Sequence, residues 1–149
     1  MDPLSDLAGA EQFEALLTRE ELRRARTGET LAVAVVDLDG LRDVNARHGA
    51  AAGTEMLRTC AEALRRSVRG VDELARTGPD EFSVLLHATD ARRAAAWAER
   101  FEDMLEPVTC AVGLADTAEA PTLMDVAAIA RRRMEFVQTM RKLRRAREV

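Results

Sequence analysis

Leu31-Ala-Val-Ala-Val-Val36 runs directly into Asp37-Leu-Asp-Gly40. Six apolar residues without polar alternation read as a strand buried on both faces. The two aspartates and the glycine stop it abruptly. Upstream, Ala10 to Arg26 has helical periodicity with Phe13, Leu16 and Leu17 inward, ended by Thr27-Gly28. Downstream, a short helix (Leu41, Val44, His48) breaks at Gly49. A longer helix from about Ala51 to Val68 then buries Met56, Leu57, Cys60, Ala61, Leu64 and Val68. Asp72–Thr77 and Glu81–His87 flank Gly78-Pro79-Asp80 as a hairpin, with Pro79 suited to the second turn position and Asp80 to the third. A helix from Asp90 to Leu105, a strand from Val108 to Ala115 and a last helix from about 122 to 148 complete the chain.

Without its first and last helices, the order is strand, helices, strand, strand, helix, strand. That is the α+β, ferredoxin-like βαββαβ arrangement with extra helices. A right-handed crossover makes strands 1 and 2 parallel and inserts strand 3 antiparallel between them. The end of strand 1 (Asp37, Asp39) then lies beside the start of strand 3 (Asp80, Glu81). Carboxylates gathered at one sheet edge repel each other unless a cation sits among them, so a divalent metal is the natural guest. Two-metal phosphoryl-transfer sites are built this way. The plainer alternatives are strand-end turn formers at Asp37 and Asp39, and solvated hairpin residues at Asp80 and Glu81. A calcium loop is excluded, because Leu41 and Arg42 stand where that loop needs a ligand and a glycine.

Composition narrows the class. The 149 residues suit one domain, expected to span 1–149, and 47% are apolar. No apolar run approaches the roughly 20 residues of a membrane span. The start, Met1 to Asp6, lacks a signal peptide's pattern. Cys60 and Cys110 have no CxxC spacing and read as buried free thiols of a cytoplasmic protein. The net charge of −4 divides into +6 from Arg131 onward and −10 before it. A basic tail hints at nucleic acid, but one tryptophan, four phenylalanines and no tyrosine offer few stacking platforms, so no nucleic-acid partner is expected. In the last helix Val126, Ile129, Arg133, Phe136, Met140, Leu143 and Arg147 form an imperfect heptad seam. It suits a homodimer, an acidic partner protein or packing on the chain's own body. His48 and His87 have no nucleophile or metal partner and read as structural.

The run Asp37-Leu-Asp-Gly-Leu-Arg-Asp-Val-Asn45-x3-Gly49-x3-Gly53, with Arg76-Thr-Gly78-Pro79-Asp80-Glu81-Phe82, resembles a GGDEF domain. The likeness covers nearly the whole chain, including a degraded opening at Asp2–Leu7 and the fourth strand at Val108–Gly113. That family contains the diguanylate cyclases, which condense two GTP into cyclic di-GMP on a nucleotidyl-cyclase palm-like fold. The resemblance implies metal binding (Mg2+ or Mn2+, with nucleotide) by Asp37, the Leu38 carbonyl and Asp80. It implies catalysis by Glu81 with Asp80, and nucleotide binding by Asn45, Thr54 and Gly78. It also implies an inhibitory RxxD site for cyclic di-GMP at Arg69 and Asp72, to which Arg100 is the candidate second arginine. About six strand residues separate that site from the hairpin, roughly 20 Å.

The departures from the family pattern are specific. Pro79 replaces the second signature glycine, adding a ring and removing an N–H. Thr54 stands where an aspartate reads guanine, and a hydroxyl cannot hold N1–H and N2–H together. Thr54 also reads as a helix N-cap. Ala50 replaces a histidine after Gly49. In the last helix Arg131-Arg132 replaces leucine-tyrosine, and the phosphate-binding lysine is placed at Glu135. The expected function is therefore a degenerate GGDEF domain that binds guanine nucleotide or cyclic di-GMP with little or no cyclase activity. The alternatives are an active cyclase, one with altered base choice, and a structural dimerisation module.

Overall fold

The computed structural model describes residues 2 and 5–148. Pro3 and Leu4, within the expected family opening, lie outside the described residues. The elements are α1 (Ala10–Thr27), β1 (Ala32–Leu38), α2 (Leu41–His48), α3 (Ala50–Ser67), β2 (Glu73–Arg76), β3 (Glu81–Leu86), α4 (Ala91–Leu105), β4 (Cys110–Asp116) and α5 (Leu123–Glu148). The sheet order is β2-β3-β1-β4. β1 pairs antiparallel with both β3 and β4, and β2 pairs antiparallel with β3, so β1 and β2 run parallel as the crossover rule requires.

β1 is central, which is why its sequence shows no alternation. Ala32, Ala34, Val36 and Leu38 face a core closed by α3 and α4, with Leu64, Trp97 and Phe101. Leu31, Val33 and Val35 face the opposite core, closed by α1 and α5, with Phe13, Leu17, Val126 and Met134. Both cysteines are buried, and burial pushes the thiol of Cys110 up to about 12 and that of Cys60 higher still. They are inert thiols of the interior.

Gly113 sets where α5 crosses the sheet. A Cβ there would stand 1.9 Å from the Ala130 carbonyl oxygen and 2.3 Å from the Met134 nitrogen. The missing side chain lets α5 lie against β4, and the helix then runs from the Asp116 end of β4 back toward its Cys110 end. That end adjoins Asp37 and Leu38 of β1.

Several local expectations change. α3 begins at Ala50 with Gly49 as its N-cap, so Thr54 lies inside the helix and caps nothing. Gly49 takes the junction because its φ of 90° joins α2 to α3, and its carbonyl accepts from the amides of Ala52 and Gly53. Val68 is the extended C-cap of α3. Asp90 caps α4 by accepting from the Arg93 amide at 2.9 Å. His48 is exposed, whereas His87 is buried between Glu29 (3.4 Å) and Glu20 (3.7 Å). The seam in α5 splits: Val126 is buried on the sheet, while Phe136, Met140 and Leu143 are exposed. Among the described residues no helix is long and apolar enough to cross a membrane.

Candidate functional site

The carboxylates converge as the topology predicts. Asp37 pairs with Glu81 in the β1–β3 register. The Leu38 amide donates to the Asp80 carbonyl (2.9 Å), and the Asp39 amide to that of Thr109 (3.0 Å). The hairpin turns with Pro79 second and Asp80 third, the Glu81 amide donating to the Gly78 carbonyl at 3.4 Å. Arg76 steadies this turn by donating to the carbonyls of Gly78 and Pro79. A cleft of about 400 Å³ opens here, lined by Asp37, Leu38, Asp39 and Asp80 from the strand ends and by Arg141 and Lys142 from α5, with Gln138 between them. Burial, then the charge of Asp80, then those of Glu81 and Asp39, push the Asp37 carboxyl up to about 7; a hydrogen bond with Gln138 opposes them.

α5 supplies what the sequence reading missed. Glu135 does not line the cleft; Gln138, three residues further on, reaches Asp37. Arg141 donates to Asp39 (3.0 Å) and to the Cys110 carbonyl (2.7 Å). Arg131 grips Glu81 with two hydrogen bonds, 3.1 Å to Oε1 and 2.7 Å to Oε2. Arg131, Gln138, Lys142 and Arg145 recur at helical spacing along one stripe, a signal that was present in the sequence.

The base-reading candidates lie on α2 and α3. Asn45 is exposed at the end of α2, and its side chain occupies the space over Gly53, where a Cβ would stand 1.7 Å from Oδ1. Gly53 is thus the clearance that Asn45 requires. Thr54 is half-buried on the next position of α3. Neither lines the acidic cleft.

Arg69 and Asp72 form a second site. The Asp72 carboxylate accepts from the Arg69 amide (2.9 Å) and the His87 amide (2.9 Å), and its side chain is only 2% exposed. The Arg69 guanidinium, half exposed, donates to the His87 carbonyl and to Thr89. A cleft of about 290 Å³ beside them gathers Arg69, Asp72, Arg93, Trp97 and Arg100. Arg100, the candidate second arginine, lines this cleft, and Arg93, one α4 turn from Trp97, joins it. The two clefts share no residue.

Comparison with known proteins decides the family. A family profile described as "Diguanylate cyclase, GGDEF domain" matches residues 1–145. The chain belongs to the GGDEF domain family. It is 36% identical to the diguanylate cyclase DgcP of Pseudomonas aeruginosa, over 76% of this chain and 18% of that protein. It is 33% identical to the probable diguanylate cyclase DgcT of Escherichia coli, over 72% and 24% respectively. The chain thus spans about a fifth of the length of these curated relatives. Among solved structures, the GGDEF domain of TpbB (YfiN) from P. aeruginosa superposes with a TM-score of 0.88 at 28% identity, covering 93% of this chain and 88% of that one. The GGDEF domain of DgcB from Caulobacter crescentus, solved with cyclic di-GMP, shares the fold with a TM-score of 0.87 at 22% identity, covering 93% and 90%.

The residues at the acidic cleft of this GGDEF domain suit a hard divalent cation such as Mg2+ or Mn2+. Asp37, Asp80 and the Leu38 carbonyl offer oxygen donors, and burial followed by the charge of Asp80 holds the Asp37 proton to near neutrality. Among the described residues no three His, Cys, Asp or Glu side chains stand together as a ready-made metal centre. Asp37 and Asp80 would need the Leu38 carbonyl, water and nucleotide oxygens to complete a shell.

Proposed function

We propose that this GGDEF domain serves cyclic di-GMP signalling as a binding module for cyclic di-GMP, with little or no cyclase activity. The observation that carries the reading is the convergence of Arg69, Arg93 and Arg100 on one cleft floored by Trp97 and the anchored Asp72. Guanidinium forks suit phosphate oxygens and the O6/N7 edge of guanine. The Asp72 carboxylate, buried and held by the Arg69 and His87 amides, fixes the backbone that presents Arg69 to the cleft. At about 290 Å³ the cleft takes a nucleobase with its phosphate, the rest of a dinucleotide lying on the open surface.

The acidic cleft supports the second half of the reading. Asp37, Leu38 and Asp80 would hold Mg2+ or Mn2+, and that cation would stabilise charge on the α-phosphate oxygens of GTP. Lys142, Arg145 and Arg42 border the cleft where a triphosphate would extend. Against turnover stand Pro79 in the turn, the uncharged Gln138 beside Asp37, and Thr54 where the family pattern has a guanine-reading aspartate. Joining two GTP would call for a second such cleft, which a second copy of the chain would supply.

Incubation with GTP and Mg2+ or Mn2+, followed by chromatography of the products, tests this. The expected result is product far below that of a relative with an intact signature. Robust cyclic di-GMP formation that Asp37→Ala abolishes overturns it in favour of an active cyclase.

A further inference from the structure

We propose that Arg131 is a positioning residue that holds the Glu81 carboxylate out of the cation's ligand set. This inference rests on the reading of the acidic cleft as a divalent-cation site.

Asp37 and Glu81 sit opposite each other in register, so their side chains leave the same face of the sheet, the one that α5 covers. Left to itself, Glu81 would be the third carboxylate around a cation at that edge. Instead both its oxygens are occupied. The Arg131 fork takes Oε1 and Oε2, and the Thr77 hydroxyl also donates to Oε2. Two parallel N–H···O contacts to one carboxylate form the strong, directional version of an ion pair. Glu81 is 12% exposed at its side chain, so this pairing is screened less than a surface pair.

Glu81 does not line the acidic cleft, although both its sequence neighbour Asp80 and its register partner Asp37 do. No group of three ligating side chains is assembled among the described residues. Asp39 differs: it lines the cleft, and only its Oδ2 is engaged, by Arg141 (3.0 Å) and the Thr109 hydroxyl (2.8 Å). α5 therefore pairs an arginine with each of Glu81 and Asp39, and only Glu81 is drawn out of the cleft.

Terbium luminescence counts the waters on a bound cation from lifetimes in H2O and D2O, and so reads ligation rather than charge alone. The protein is loaded with Tb3+ as wild type, Arg131→Gln, Glu81→Gln and the double variant, at pH 8 where Asp37 is ionised. Arg131 is half exposed, so its replacement leaves the core intact. The expected result is that Arg131→Gln displaces about one or two more waters, as a mono- or bidentate carboxylate joins the shell. The double variant regains them, and Glu81→Gln alone matches wild type. Equal water counts in wild type and Arg131→Gln, or a changed count in Glu81→Gln alone, overturn the inference and leave the cleft reading standing. No Tb3+ binding on wild type, or binding unaffected by Asp37→Ala, overturns the cleft reading and this inference with it.

Discussion

Replacing Asp37 by Asn should make the protein more stable at neutral and alkaline pH, provided that no divalent cation is present. The folded Asp37 carboxyl titrates at about 7 against an ordinary 3.8, raised first by burial and then by Asp80. Between those values the native state binds the proton that the unfolded chain has released. Stability therefore falls as pH rises from about 4 to about 7 and is flat above, which is the sign for a raised carboxylate. Three pH units at about 1.4 kcal/mol each would give ~4 kcal/mol for a sealed group. Asp37 is only half-buried, and solvent screening reduces this to about 1–2 kcal/mol. Asn keeps the hydrogen bond with Gln138 and carries no charge. At 2–4 °C per kcal/mol for a chain of this size, the variant should melt roughly 3–6 °C above wild type at pH 8. Thermal melts by circular dichroism in EDTA, at pH 4.5, 6 and 8, read the widening gap. Adding Mg2+ at pH 8 should narrow it, because the cation stabilises only the ionised wild-type site. A gap that does not change between pH 4.5 and 8, or a less stable variant, refutes the crowding of charge at this edge.

Two further outcomes follow from the packing. Gly113→Ala should cost about 1–3 kcal/mol, because α5 must lift off β4 to admit a methyl group; denaturant melts measure it, and no loss would contradict the close approach. Asp72→Ala should cost about 1–3 kcal/mol by leaving the His87 amide without its partner, whereas the half-exposed Arg69 should cost less when cut to Ala, a difference that urea unfolding resolves.

The sheet was legible because its central strand has only one physical solution. Leu31 to Val36 is apolar throughout since helices cover both faces, and Gly78-Pro79-Asp80 leaves the chain little choice but to turn. From those two facts the crossover rule brings Asp37 and Glu81 together without any side-chain information. The register of α5 was not legible. The stripe of Ile129, Phe136, Met140 and Leu143 is more apolar than the buried one, which runs through Leu123, Val126, Ala130 and Met134. Gly113 decides the matter, because its missing side chain admits the α5 backbone at Ala130 and Met134 against β4. Because that register was hidden, Gln138 and Arg141 were missed and Glu135 was chosen. Asp72 shows a second limit. Its carboxylate serves the amide of His87, fifteen residues away, and nothing in an RxxD spacing announces that.

Calorimetric titration with cyclic di-GMP, with the fluorescence of Trp97 followed in parallel, tests the central claim most directly. Trp97 is the sole tryptophan and lines the arginine cleft, so it reports on that cleft and not on the acidic one. The account predicts saturable binding with a Trp97 signal, weakened roughly ten- to a hundred-fold by Arg69→Ala, the loss of a charge-assisted contact of about 1.5–3 kcal/mol. Asp37→Ala should leave it nearly unchanged. No binding at high micromolar ligand, or binding that ignores Arg69→Ala, would contradict the account and leave Arg69 and Asp72 as a structural ion pair.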